Sequence, residues 1–292
     1  MKKYAATIGM FDGVHRGHQF VLQEVVATAH ERGLQSMVIT FDHSLHSESV
    51  LTPLEEKLTL LSKAGVDHVE VLSFTDELKQ MTARQFMEQV LKRQLSVTVL
   101  LTGYDNRFGH NREEGFDDYV RYGHELGIEV LQLPAKGKVS SSLIRHLLQE
   151  GRVSESAECL GHAYTIVGRV EHGEHVGTQL GFPTANLMPA DPCQLMPAAG
   201  AYAVRVLMED GKTLKQGMMN IGHRPTFDGQ RQTLEVNIFQ LHENLYGQQL
   251  RVSFVERLRE EHRFDTPEAL VQQLQHDARQ AKEILNQSHN KI

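Results

Sequence analysis

Through the first half of the chain, short runs that are apolar almost throughout alternate with stretches whose apolar residues recur every three or four positions. The runs are Tyr4–Ile8, Gln35–Phe41, His68–Phe74, Val97–Thr102 and Ile128–Leu133, and their length and lack of polar alternation predict buried strands. Between the first two, Phe20, Val21, Val25, Val26 and Ala29 share one helical face ending at Gly33. Thr52-Pro-Leu-Glu predicts an N-cap, a proline at the first helical position and a capping box for a helix ending near Ala64. Thr82-Ala-Arg-Gln opens a further helix, and Phe116–Leu126 reads as another. Buried strands separated by helices predict a parallel sheet covered on both faces, with its ligand site at the carboxyl ends of the strands.

Past residue 150 the pattern changes. Short helices are predicted from Ser142 to Gly151 and from Ser154 to Leu160, after which strands and turns take over. Tyr164–Val170, Tyr202–Met208, Leu214–Ile221, Leu234–Leu241 and Leu250–Leu258 read as strands joined by turns such as Glu209-Asp-Gly, which predicts an antiparallel barrel or sandwich. Thr266-Pro-Glu then opens a terminal helix that carries Leu270, Leu274, Ala278, Ala281 and Leu285 on one face. With 292 residues the expected division is an α/β domain over 1–155 and a β domain over 162–286.

Composition narrows the function classes. Thirty basic against 37 acidic residues give a net charge of −7, which argues against a nucleic-acid or membrane partner held by bulk electrostatics. Anionic small molecules must then be gripped by local groups. The two cysteines, Cys159 and Cys193, have neither metal nor redox spacing, which predicts a reduced, cytoplasmic protein. The 17 histidines form no HExxH or clustered ligand pattern, so no metal site built from protein groups alone is expected. No apolar stretch reaches membrane-spanning length, and Met1–Met10 lacks the pattern of a signal peptide.

The sharpest chemistry lies in Gly9-Met-Phe-Asp-Gly-Val-His-Arg-Gly-His, between the first strand and the first helix. Gly9, Gly13 and Gly17 allow close approach of the backbone to a bulky anion, and the helix beginning near His18 aims its unpaired N–H groups at the same place. His15 and His18, three apart at the helix mouth, can face one ligand, and neither is expected in a core. This block, with Phe11 and Asp12 inside it, resembles the HxGH signature of nucleotidylyltransferases. Its longer context is similar to the FMN adenylyltransferase half of bifunctional bacterial riboflavin kinase/FAD synthetases. Gly103-Tyr-Asp-Asn-Arg-Phe-Gly and Val139-Ser-Ser-Ser-Leu-Ile-Arg continue the match.

That resemblance implies a Rossmann-like fold in which an FMN phosphate oxygen attacks the α-phosphorus of ATP and pyrophosphate leaves. It assigns His15, His18, Gly9, Phe11, Asp12 and Gly17 to the ATP phosphates, with Ser140, Ser141 and Arg145 clamping the triphosphate from a second helix. Asp105 and Phe108 become candidates for positioning nucleotide or flavin. Departures from the family pattern include Asn106, which stands where an aromatic is common, Phe41-Asp-His-Ser-Leu-His, which lacks a His-Pro pair, Ser142 in place of a common threonine, and Asn237 where histidine is common.

In the second domain, Gly168, Gly173, Gly177 and Gly181 punctuate a strand and its following loop, a density that lets a loop fold over phosphates. Pro183-Thr-Ala-Asn resembles the riboflavin kinase signature, which implies that Thr184 and Asn186 sit at magnesium and the nucleotide phosphates. Glu235, in Leu234-Glu-Val-Asn-Ile, matches the base of that family, and strand alternation turns it opposite to Leu234 and Val236. Leu258-Arg-Glu-Glu-His-Arg-Phe resembles the segment beside the flavin, with Arg259 and Phe264 as contacts. The implied enzyme uses ATP with Mg²⁺ twice, taking riboflavin to FMN and FMN to FAD. Two alternatives stay open at this point: a kinase whose first domain is weak or silent, and a regulator that binds flavin and nucleotide without turnover.

Overall fold

The computed structural model describes residues 2–42, 49–104, 106–110, 113–134, 137–172, 181–226, 229–241 and 243–287. The chain divides into two compact units, Met1–Ser141 and Ser142–Ile292.

In the first unit, β1 (Tyr4–Ile8), β2 (Gln35–Phe41), β3 (His68–Leu72), β4 (Val97–Thr102) and β5 (Glu129–Gln132) form a parallel sheet in the order β3-β2-β1-β4-β5. Successive residues of β1 serve opposite faces. Ala5 packs with Val25 and Ala29 of α1 (Arg16–Glu31), whereas Ala6 and Ile8 join Phe86, Met87, Leu91 and Tyr119 on the other side. Those residues come from α4 (Ala83–Phe86), the π-helical turns Met87–Gln94 that continue it, and α5 (Phe116–Leu126). A sheet buried on both faces accounts for strands without polar alternation. Because β1 has β2 on one side and β4 on the other, the winding reverses there, and a crevice opens outside their carboxyl ends.

Thr82 and Gln85 form a capping box at the start of the expected helix, and Thr75 caps an unanticipated short helix α3 (Asp76–Gln80). The box expected at Thr52 is absent: α2 (Leu54–Lys63) starts after Pro53, which occupies the N-cap without a side-chain bond. The amides of Leu51 and Thr52 donate instead to the Asp12 carboxylate, at 3.0–3.1 Å.

In the second unit, α6 (Ser141–Gln149, whose first residue closes unit one) and α7 (Val153–Leu160) precede six strands: β6 (Thr165–Glu171), β7 (Ala185–Pro189), β8 (Gly200–Leu207), β9 (Leu214–Thr226), β10 (Gly229–Ile238) and β11 (Gln249–Glu260). They close into an antiparallel barrel in the order β10-β7-β6-β11-β8-β9, which decides between the barrel and the sandwich. The terminal helix α8 (Pro267–Gln287) is capped by the Thr266 hydroxyl and lays Leu274, Ala278, Ala281 and Leu285 against Ala203 and Met218. The units part ahead of the expected 155–162 interval because α6 and α7 are tied to the barrel. The Ala198 amide donates to the Leu148 carbonyl, Ser154 to Glu256, and Arg257 to the Glu150 carbonyl.

β7 contains most of the Thr-Ala-Asn block that reads as loop in the sequence. Gly168 is required by strand packing rather than by phosphate, since a Cβ there would lie 2.8 Å from the Met188 carbonyl on β7.

Candidate active sites

The 9–18 segment leaves β1 at the crevice. Phe11, Gly13 and Val14 have φ of +51°, +84° and +39°, a left-handed course that only Gly13 adopts without strain. Apolar anchoring and hydrogen bonds hold it. Phe11 and Val14 pack with Leu22, Val38 and Leu61, while four carbonyls of the turn are engaged. Met10 accepts from Thr40 (3.1 Å), Phe11 from the Val14 amide (3.1 Å), Asp12 from the Ser141 hydroxyl (2.9 Å) and Val14 from Gln19 (2.8 Å). Backbone that winds through left-handed conformations makes anion-binding concavities, and this one opens onto the N-terminus of α1.

His15 is buried rather than displayed. It is the N-cap of α1, and its Nδ1 accepts from the His18 amide at 3.3 Å. Gly17 makes room for it, since a Cβ there would sit 3.1 Å from the His15 ring. His18 stacks on His15 with ring centres 3.6 Å apart, and Phe11 meets it edge-on at 5.1 Å. Burial first, then the electrostatic influence of His15 and of the Lys57 ammonium, holds His18 well below the ordinary histidine pKa, so its imidazole is neutral at neutral pH. Its Nδ1 has no hydrogen-bond partner among the described residues.

The Phe11 ring is buried, and the Asp12 carboxylate accepts from the Leu51 and Thr52 amides. Gly9 lies against the Phe11 ring, where a Cβ would come within 3.2 Å. Ser140 precedes α6, Ser141 begins it and bonds the loop, and Arg145 follows one helical turn later.

A cavity of about 150 Å³ opens beside this loop between Gly9, Met10, Phe41, Phe74, Phe86 and Phe108. Phe108 is fixed by stacking on Tyr119 at 4.2 Å, whose hydroxyl bonds both its amide and its carbonyl. Asn106, the departure from the aromatic pattern, donates to the Ile8 carbonyl at 2.5 Å and so ties the loop after β4 to the end of β1. Asp105 lies outside the described residues, as does the segment that replaces the His-Pro pair after Asp42.

In the barrel, Glu235 faces away from buried Leu234 and Val236, as alternation requires. It stands opposite Asn186 on β7 and Asn220 on β9 in one cross-strand row. Glu235, Thr184, Asn220, Arg259 and Phe264 line a cavity of about 320 Å³. Thr184 also lines a second cavity, of about 330 Å³, bounded by Val236, Asn244 and Tyr246. The Thr184 segment is held by Asn237, whose side chain donates to the Pro183 carbonyl at 2.7 Å. Arg259 is aimed by buried Asp277 of α8, at 2.9 Å, and lies over the Phe264 ring at 5.5 Å. Gly181 turns the chain into this block with φ of +80°, whereas Gly173 and Gly177 lie outside the described residues. Asn220 and Asp277 belong to no motif. Their only signal in the sequence is a polar residue on an otherwise apolar strand or helix face.

Comparison with known proteins finds two family profiles, one over each part of the chain. The FAD synthetase family profile matches residues 1–144 and the riboflavin kinase profile residues 160–285. A bifunctional riboflavin kinase/FMN adenylyltransferase of Escherichia coli K12 is 37% identical over 289 residues, covering 95% of this chain and 91% of its own. The Bacillus subtilis protein of the same description is 32% identical, covering 96% and 92%. A crystal structure described as a macrolide-efflux protein from Streptococcus pneumoniae superposes with a TM-score of 0.87 at 30% identity, covering 97% of this chain and 95% of that one. No described helix of the present chain is long and apolar enough to cross a membrane. With an HxGH loop at the switch point of a parallel sheet and a Thr-Ala-Asn strand facing a glutamate in a closed barrel, the chain belongs to the bifunctional riboflavin kinase/FMN adenylyltransferase family.

Proposed function

We propose that the barrel transfers the γ-phosphoryl group of ATP to riboflavin and that the sheet unit transfers the adenylyl group of a second ATP to the resulting FMN. The observation that carries the kinase assignment is Thr184, which lines two cavities at once. One holds the base, the arginine and the aromatic ring suited to a flavin, leaving the other for nucleotide. In the first step Glu235 accepts the proton of the ribityl hydroxyl as its oxygen bonds to the γ-phosphorus and ADP departs. Arg259, held by Asp277, and Phe264 orient the flavin.

Magnesium suits the donors available here. The Thr184 hydroxyl and the Asn186 side-chain oxygen are hard, neutral ligands of the kind that share the ion with phosphates and water, and no cluster of three His, Cys, Asp or Glu forms a cage among the described residues. When bound with ATP it neutralises phosphate charge. In the second step the FMN phosphate is already ionised, so the residues of the sheet unit need only align and neutralise. The α1 amides and neutral His18 receive the ATP phosphates, with Ser140 beside them, and Phe108 supports the flavin ring. ATP as the co-substrate and two unpaired cysteines support a cytoplasmic setting.

Purified chain incubated with riboflavin, ATP and Mg²⁺, with products separated chromatographically, should yield FMN and then FAD. FMN that accumulates unchanged, with none converted when supplied directly, would leave only the kinase.

A further inference from the structure

We propose that Lys57 is a positioning residue for adenylyl transfer, bracing from beneath the loop that receives the ATP phosphates. The proposal rests on the assignment of the sheet unit as the adenylyltransferase. Lys57 belongs to none of the matching motifs and sits on α2 with its side chain wholly removed from solvent. Its Nζ donates to the Met10 carbonyl at 3.2 Å and to the Phe41 carbonyl at 2.9 Å.

An ammonium group is costly to bury, and a leucine or methionine would fill the same space without that cost. What neither could supply is a donor for the two carbonyls at the ends of β1 and β2, which frame the crevice. The Met10 carbonyl directly precedes Phe11, where the left-handed course begins. Strained non-glycine conformations persist only where the surroundings over-determine them. The bracing runs both ways: Asp12 reaches from the loop to the amides leading into α2, and Lys57 reaches back from α2 to the start of the loop. Burial pushes the Lys57 pKa down to about 8, with Asp12 and Asp42 working in the opposite sense, so at neutral pH it keeps its proton. That charge also contributes to holding His18 neutral.

The test uses the full chain and two assays on the same sample. In K57M, turnover of FMN to FAD should fall by about 100-fold, the scale set by misplacing a reacting group by about an ångström. Riboflavin phosphorylation in the barrel should be unchanged and serves as the internal control. The His18 ring resonances, identified by their loss in H18Q, should titrate at higher pH in K57M than in the parent. An unaltered FAD rate, or an unaltered His18 titration, would overturn the proposal. If K57M does not fold, T40V decides, because it removes the other donor to the Met10 carbonyl. A lowered FAD rate supports the brace and an unchanged rate rejects it. A parent chain that makes no FAD from FMN would instead remove the adenylyltransferase assignment itself.

Discussion

His18 shows how the environment of one residue sets its chemistry. Stacked on His15, edged by Phe11 and under the positive influence of Lys57, it stays uncharged where a free histidine would be taking up a proton. The linkage has a definite sign. The folded pKa lies below the unfolded one, so as pH falls through about 6.5 the unfolded chain binds the proton first and stability is lost; above that value the contribution is fully present. Thermal unfolding of the first unit, followed from about pH 7.5 to about pH 5, should therefore fall more steeply in the parent than in H18Q. Parallel curves would mean that His18 is not held neutral. The histidines themselves were legible in the sequence, but the burial of His15 was not, because its role as a helix cap depends on the space Gly17 leaves for it. Lys57 was invisible for a similar reason: its partners, Met10 and Phe41, lie 47 and 16 residues away.

At the scale of elements, runs such as Tyr4–Ile8 and Val97–Thr102 were readable because a strand buried on both faces has no other pattern to show. β7 was not. Only five residues long, it begins just after Pro183 and ends on Pro189, so it has the texture of a loop, and only pairing with β6 and β10 makes it a strand. The same pairing explains Gly168, which the sequence groups with the loop glycines. G168A would drive a Cβ to 2.8 Å from the Met188 carbonyl and push apart the ladder that holds Asn186 opposite Glu235. The barrel should lose about 1–3 kcal/mol of stability, within the usual range for a single substitution. Riboflavin phosphorylation should weaken while FMN adenylylation is retained. Calorimetry and the two half-reaction assays check this, and an undisturbed kinase would show that the β6–β7 contact is not what sets the site.

For the whole molecule, the order of the motifs was enough to expect a sheet unit followed by a barrel, and family membership follows from profiles and relatives that cover nearly the full length. The point of division was harder to read, since α6 and α7 look like the end of an α/β pattern yet bond to the barrel through Leu148, Glu150 and Ser154. Each unit carries its own cavities, and the roles proposed for the two steps share no residue. The most direct measurement of that claim mixes two variants, E235Q and H18A, each supplied with riboflavin, ATP and Mg²⁺. E235Q alone should make neither FMN nor FAD from riboflavin, and H18A alone should stop at FMN. Together they should make FAD after a lag in which FMN builds up. No FAD from the mixture, with both proteins folded, would contradict the assignment of consecutive steps to two separate sites.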